Sequence, residues 1–236
     1  MLLYADLHIH SCLSPCADEL MTPNNIANMA LIKGLDIIAV TDHNTCAQLP
    51  AVAGAAKRAG VTLVPGMELE TQEEVHTLAY FPSVEAACAF SREIYRLLPD
   101  IKCNTHFFGE QTLLDENDEP VGCEEKLLLS PVPISLERGF AMLRDFGGVG
   151  VPAHIDRPGH GIIPMLGFIN PHLGVRCVEI SPRGAASGFA EFDPSLRLLS
   201  SSDAHRLEDI LERVQALERP LLPMSAETEN ARSSHS

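Results

Sequence analysis

The chain has 236 residues, of which 45% are hydrophobic and 21% charged, as is ordinary for a globular protein. Its 32 acidic and 17 basic residues give a formal net charge of −15, which argues against a general nucleic-acid binder because phosphate backbones would be repelled. The charge does not exclude a small phosphorylated substrate, since bound divalent cations reverse the potential locally.

The cysteine pattern and the lengths of the apolar runs indicate the expected cellular location. Seven cysteines are scattered without a Cys-x-x-Cys pair, so no disulfide framework is predicted and a cytoplasmic location is expected. Asp6 comes too early for a signal peptide, and no apolar run approaches the length of a membrane span, so we expect no membrane association.

Short apolar segments alternate with stretches of helical periodicity along the chain. Strands are predicted over residues 2–5, 36–40, 61–65, 74–81, 149–153, 175–180 and 196–200, and helices over 24–33, 48–59, 84–98, 135–146 and 206–217. Strands that alternate with helices typically pair in parallel. This many units favour closure into a barrel, so an α/β barrel is predicted.

Two segments depart from this pattern. Residues 107–126 are acidic and are predicted to form a loop or hairpin inserted into a single domain that spans 1–224. Residues 225–236 are polar without apolar periodicity and are predicted to be a disordered tail.

Histidines and carboxylates recur where the predicted strands end. They are His8, His10, His43, His76, His154 and His205, with Asp6, Asp42, Glu68, Asp156 and Asp203. The carboxyl ends of barrel strands form one rim, where active sites assemble. His8 and His10 are two apart on one strand, so both can chelate one ion from the same face.

Short blocks of sequence, in a fixed order, carry a resemblance to a known family. They are DLHIHS at 6–11, TDHN at 41–44, GMELE at 66–70, and AHIDRP at 153–158 with SSDAH at 201–205. With these blocks the chain resembles the PHP (polymerase and histidinol phosphatase) superfamily of metal-dependent phosphoesterases. The resemblance implies a distorted (β/α)7 barrel with two or three divalent metal ions at its rim.

The resemblance also implies roles for individual residues. A first metal would be held by His8, His10 and Asp203, a second by His76 and His154 with Glu68 bridging, and a third by His43 and His205 with a residue from the loop after His10. Asp18 takes the place of the family's aspartate in that loop. Cys12 and Cys16 are alternatives, and a thiolate would favour zinc over manganese or iron.

Other residues are candidates for the same site. His106 is a rival to His76 as a ligand. Arg157 and Arg183 are expected to clamp phosphate oxygens, although each could equally form a surface salt bridge. His160 is expected to donate a proton or hydrogen bond to the substrate, or to be an exposed turn residue.

These expectations describe an enzyme that hydrolyses a small-molecule phosphomonoester, using a hydroxide held between metal ions. A nuclease or nucleotide phosphodiesterase acting on short oligonucleotides is the first alternative. A non-catalytic metal-binding barrel with a regulatory or scaffold role is the second. The sequence leaves the substrate, the native metal and the oligomeric state open.

Overall fold

The computed structural model describes residues 3–186, 193, 195–213 and 216–217. Its strands are β1 (Leu3–Ile9), β2 (Ile37–Val40), β3 (Thr62–Leu63), β4 (Gly66–Glu70), β5 (His76–Tyr80), β6 (Thr112–Leu114), β7 (Pro120–Cys123), β8 (Val149–Pro152), β9 (Cys177–Ile180), β10 (Arg197–Ser200) and β11 (Ala216–Leu217). Its α-helices are α1 (Pro23–Ile32), α2 (Leu49–Ala59), α3 (Val84–Leu97), α4 (Thr105–Phe108), α5 (Leu136–Asp145), α6 (Ile162–Leu166) and α7 (Pro182–Ala186).

Most predicted elements are present with ends shifted by a few residues, because local signals set their boundaries. At the start of α1 the Thr22 side chain accepts from the Asn25 amide, and Pro23 occupies the first turn. Gly60 ends α2 in the left-handed conformation at φ 73°. No helix in the described residues is long and apolar enough to cross a membrane.

The predicted helix over 206–217 is wrong for the part that the structure describes. Leu207–Asp209 forms a single 3-10 turn, and β11 pairs antiparallel with β1, with Leu217 opposite Leu3. Tertiary contacts outweigh the local pattern here: Ile210 is buried in the core, and the Leu211 amide donates to the buried carboxylate of Asp6.

The described strands form four sheets, and both parallel and antiparallel pairs occur among them. β1, β2 and β3 pair in parallel, as do β9 and β10. The expected parallel pairing is wrong for β4, β5 and β8, which pair antiparallel. Only residues 71–75 connect β4 to β5, and a connection this short cannot carry the crossover that a parallel pair needs.

Single bridges join the sheets where their ladders end. Ile9 pairs with Ala204 beyond β10, and His43 pairs with Glu68 in β4. The Ile155 amide, after β8, donates to the carbonyl of Glu179 in β9. The described strands thus make a mixed α/β domain with no continuous closed ladder, and the seven-stranded barrel stays a prediction.

Apolar residues from five strands pack between the sheets, below the rim that holds the histidines and carboxylates. This interior cluster consists of Ala5 and Leu7 (β1), Ile37 and Ala39 (β2), Leu78 and Tyr80 (β5), Val151 with Ala153 (β8 and the residue after it), and Leu199 (β10). The Tyr80 hydroxyl donates to the Leu7 carbonyl at 2.8 Å, so even the polar end of this ring is satisfied.

The acidic insertion contains the hairpin β6–β7, which docks on the start of α1. Thr22 Oγ1 donates to Asp118 at 2.6 Å, and the Asn24 side chain donates to the same carboxylate at 2.9 Å. The predicted tail at 225–236 lies outside the described residues.

Packing against β8 generates a stability prediction. A Cβ added at Gly150 would lie 2.6 Å from Cε1 of Phe140, a buried side chain of α5. We expect Gly150→Ala to lower the free energy of unfolding by about 1–3 kcal/mol, because overpacking forces neighbours off their rotamers. Urea denaturation measures the change. Gly122→Ala is the matched control in β7, where an added Cβ meets nothing within 4 Å; equal midpoints for the two variants would contradict the packing.

Candidate metal centre

The carboxylate of Glu68, from β4, lies at the middle of the rim and is 1% exposed. Nitrogens of His8, His10, His43, His76 and His154 lie 3.4, 3.3, 3.2, 2.9 and 3.2 Å from its two oxygens. One buried carboxylate therefore faces five imidazoles that come from β1, β2, β5 and β8 or the residues just after them.

A bulge in β1 aims two of these imidazoles at one point. The pairing register of β1 with β2 shifts between Asp6 and Ile9. Leu7 lies in the interior cluster and Ile9 packs on the helix side, so the inward face changes between them. His8 and His10 consequently share the inward side at the rim, and their Nε2 atoms are 3.2 Å apart.

Hydrogen bonds at the other ring nitrogens fix how these two imidazoles are presented. Nδ1 of His8 donates to Glu179 at 3.0 Å. Nδ1 of His10 lies 3.2 Å from Ser14 Oγ, whose own proton goes to Asp42 at 2.7 Å. Both Nε2 atoms then present lone pairs to the same space, an arrangement that a cation stabilises.

Asp203 completes the first group of possible ligands. Its Oδ1 lies 3.2 Å from Nε2 of His8 and 3.2 Å from Nε2 of His10. Ligand atoms of His8, His10, Glu68 and Asp203 all lie within 4.8 Å of one another. Nitrogen and carboxylate donors of this kind suit zinc, manganese or iron.

A second group surrounds the other side of Glu68, where His43 and His76 come together with it. The Nδ1 atoms of His43, His76 and His154 are buried and make no hydrogen bond among the described residues, although the first two lie 3.2 and 2.9 Å from Glu68. Buried polar atoms are normally hydrogen-bonded, and ring nitrogens that lie near a carboxylate without such a bond fit a bound cation. The donor set of both groups therefore fits divalent metal ions.

A third group contains His10, Cys16, His43 and His205. Asp18, the aspartate expected from the sequence, does not join it: this side chain is exposed and accepts from the Leu20 amide at 2.9 Å. The rival ligand His106 lies exposed on α4, away from the groups that contain His76. The structure thus brings together every predicted metal ligand except Asp18.

The expected substrate-binding residues differ in their positions. Arg157 is half-exposed and pairs with Asp203 at 2.6 Å. His160 is also half-exposed, with Nδ1 3.3 Å from Glu70 and its ring stacked on His76 at 4.3 Å. Both line the cavity of about 240 Å³ above the metal groups. Arg183 is exposed on α7 and does not line that cavity.

Three site residues hold a left-handed backbone although none is glycine. His154, His160 and Asp203 have φ values of 28°, 62° and 54°. Such conformations cost about 1–3 kcal/mol each and persist where surrounding structure fixes them. The turns after β8 and β10 thereby direct these side chains over the rim.

Two carboxylates of the site were missed by sequence reasoning. Glu179 is 1% exposed and accepts from both His8 Nδ1 and the His154 amide, at 3.0 and 3.1 Å. Glu70 is buried beside His76 and His160. A lone glutamate near the end of the apolar strand CVEI was the available signal for Glu179.

Neither Asp6 nor Asp42 accepts a hydrogen bond directly from the imidazole of a candidate ligand in the described residues. Asp6 accepts from the amides of Ser202 and Leu211, so it joins β1 to the chain after β10. Asp42 accepts from Ser11 and Ser14, and it reaches His10 only through the Ser14 hydroxyl.

The carboxylates set the protonation of the imidazoles when no metal is bound. Burial opposes protonation of His8, but Glu179, Asp203 and Glu68 outweigh it and raise its pKa well above the usual value. The pKa of His10 is raised against the effect of burial by Asp203 and Glu68, and the pKa of His76 rises to about 9 through Glu68. Burial and the neighbouring imidazoles lower the pKa of His43.

Residues 6–128 match the PHP domain family, which is more than half of the chain. The chain therefore belongs to the PHP domain family. The match contains the metal-site residues of β1, β2, β4 and β5, while His154, Asp203 and His205 follow it.

Similar proteins of known name include nucleases. A 5'-3' exoribonuclease of Haemophilus influenzae is 35% identical over 69 residues, which are 29% of this chain and 24% of that protein. The chain thus matches only about a quarter of this relative's length.

Solved structures share the fold at low identity. The lesion-specific endonuclease Q of Pyrococcus furiosus is 21% identical with a TM-score of 0.63, over 88% of this chain and 49% of that one. A putative metal-dependent phosphoesterase of Bifidobacterium adolescentis is 20% identical with a TM-score of 0.56, over 97% and 95% of the two chains.

The raised pKa values predict that metal binding depends on pH. His76, whose pKa is about 9, carries a proton near neutral pH in the metal-free protein, and a metal ion must displace it. The raised pKa values of His8 and His10 act in the same direction. We expect metal affinity to rise between pH 6.5 and about 9, as fewer protons remain to be displaced. Competition with a chromophoric chelator measures affinity, and calorimetry in buffers of different ionisation enthalpy measures the protons released. An affinity that is independent of pH, without proton release, would contradict this.

The different positions of His76 and His106 give a matched pair of variants. We expect His76→Asn to bind about one metal equivalent less per chain, because a ligand of the second group is lost. His106→Asn should keep the wild-type content, since that side chain is exposed away from the site. Elemental analysis after gel filtration measures both, and metal loss in His106→Asn alone would reverse the assignment.

Proposed function

We propose that this protein is a metal-dependent phosphoesterase, with its active site at the rim around Glu68. The observation that carries the proposal is the single buried carboxylate within 3.4 Å of five imidazoles, with Asp203 beside two of them. Membership of the PHP family and the names of the similar proteins support hydrolysis of phosphate esters.

The ligand groups fit two neighbouring divalent ions. His8, His10 and Asp203 would hold one and His76 and His154 the other, with Glu68 between them. Such ions activate water and offset the negative charge that builds on a phosphoryl group. A third possible position lies near His43 and His205.

The protein's own groups would hold the substrate and supply the proton. Arg157 reaches the cavity with its guanidinium already held by Asp203, so its remaining N–H groups are placed to donate to phosphate oxygens. Glu70 lies 3.3 Å from Nδ1 of His160 and can orient this ring, and an N–H of His160 would supply the proton to the leaving alkoxide. Arg183 lies outside the cavity lining and remains a candidate from sequence alone.

Size and charge favour a small phosphomonoester as the substrate. A cavity of about 240 Å³ accommodates one phosphoryl group with a small alcohol. The net charge of −15 disfavours tight binding of a long polyanion outside the metal site.

Nuclease activity is the second candidate, because two of the similar proteins are named as nucleases. The open rim, where Arg157 and His160 are half-exposed, would admit the end of a nucleic-acid strand. Duplex binding would need a basic surface, for which the composition offers little support.

The test compares three substrates with one variant. Wild-type protein is assayed with 4-nitrophenyl phosphate, bis(4-nitrophenyl) phosphate and a short 5'-phosphorylated oligoribonucleotide, before and after chelation and metal return. We expect Glu68→Gln to lower turnover of the preferred substrate by at least about 10²-fold, since the charge between the metal positions is lost. Glu74→Gln, in the exposed turn after β4, is the control for folding and assay.

Each outcome has a defined meaning. Hydrolysis of the monoester that chelation abolishes supports the small-molecule phosphatase. Degradation of the oligonucleotide without monoesterase activity would replace it with the nuclease. Bound metal without hydrolysis of any ester would favour a non-catalytic metal-binding protein, and full activity of Glu68→Gln would overturn the proposed site.

A further inference from the structure

The loop between β1 and α1 folds so that one of its cysteines faces the metal centre. Its turns are closed by backbone hydrogen bonds from Ala17 to Ser14 and from Cys12 to Met21. The Asp18 amide donates to the carbonyl of His205 at 2.9 Å, which ties this loop to the last metal-site segment. Cys16, between these anchors, lines the same cavity as Glu68.

The three candidate ligands of this loop have different surroundings. The Cys12 thiol is turned toward the insertion, with Sγ 3.9 Å from the carbonyl of Thr112. The Asp18 carboxylate is exposed and occupied with the Leu20 amide. Only Cys16 of the three has its donor atom within 4.8 Å of ligand atoms of His43 and His205, among the described residues.

The two histidines beside Cys16 are themselves suited to a cation. His43 is 5% exposed, and its Nδ1, which lies 3.2 Å from Glu68, makes no hydrogen bond among the described residues. Nδ1 of His205 donates to the carbonyl of Asp203 at 2.8 Å, so Nε2 is the nitrogen left to bind a metal. His10 belongs to the same group, but its Nε2 faces His8 and Asp203.

We propose that Cys16 is a thiolate ligand of a third metal ion, with His43 and His205, and that this position selects zinc over manganese. Thiolate ligands favour soft or borderline ions, whereas manganese prefers oxygen donors. On binding, the Cys16 thiol releases its proton to solvent and Sγ donates an electron pair to the ion, with no change in oxidation state. The inference rests on the metal centre of the proposed function, but not on its hydrolytic activity.

Cobalt(II) substitution tests the ligand directly. The full-length chain loaded with cobalt should show a near-ultraviolet thiolate-to-cobalt charge-transfer band. Cys16→Ser should lose the band and about one equivalent of zinc per chain. Cys12→Ser and Asp18→Asn are the matched controls from the same loop and should keep both. Cys16→Asp should recover the third ion without the band, now with manganese bound more readily than in wild type.

Alkylation of wild-type protein covers the case in which a Cys16 variant does not fold. Zinc should protect Cys16 from iodoacetamide, and chelation should expose it, as measured by the mass of the peptide that contains it. A band that persists in Cys16→Ser, loss of one ion in Asp18→Asn alone, or alkylation that zinc does not slow would overturn the proposal. An intact band in protein that hydrolyses no ester would overturn the phosphoesterase instead.

Discussion

A buried carboxylate surrounded by imidazoles is the constraint on which the site depends. Glu68 is removed from water, so its charge depends for compensation on the imidazoles around it, His76 and His8 foremost. That compensation lowers the pKa of Glu68 well below its usual range despite burial. Because the rings come from separate strands, the ends of β1, β2, β5 and β8 must converge on one point.

The arrangement of the sheets explains how this convergence is possible. Regular ladders hold the apolar interior, where Leu7, Leu78 and Val151 pack together. At the rim the ladders give way to single bridges, including the one between His43 and Glu68. The backbone at the rim is therefore not held in a regular ladder, and its turns direct ligand side chains inward. The bulge in β1 brings His8 to the same side as Leu7.

Much of this could be predicted from sequence, because short motifs carry it. The spacing of His8 and His10 and the position of His76 within a strand place these rings at strand ends, and the helix caps at Thr22 and Gly60 are local signals. The antiparallel turn between β4 and β5 and the extended chain around Ile210 depend on tertiary packing, which periodicity does not record.

The finer parts of the site were unpredictable for a related reason. Which of Cys16 and Asp18 faces the metal centre depends on how the loop is anchored to His205. That residue is nearly two hundred positions away in the sequence. The only sequence signal for Glu179 is that it is a single polar residue in an apolar strand. Its hydrogen-bond partner, His8, is 171 residues away in the sequence, so no local pattern links the two.

The left-handed turns at His154, His160 and Asp203 have a consequence for anyone who would transplant this centre. Copying the ligand identities onto another scaffold would not reproduce it, because each of these side chains leaves the backbone in a direction that ordinary strand-to-loop geometry does not offer. A recipient scaffold would have to supply the same three strained turns and the packing that enforces them. The sequence motif thus specifies which side chains are present, whereas the backbone conformation that orients them depends on the surrounding packing.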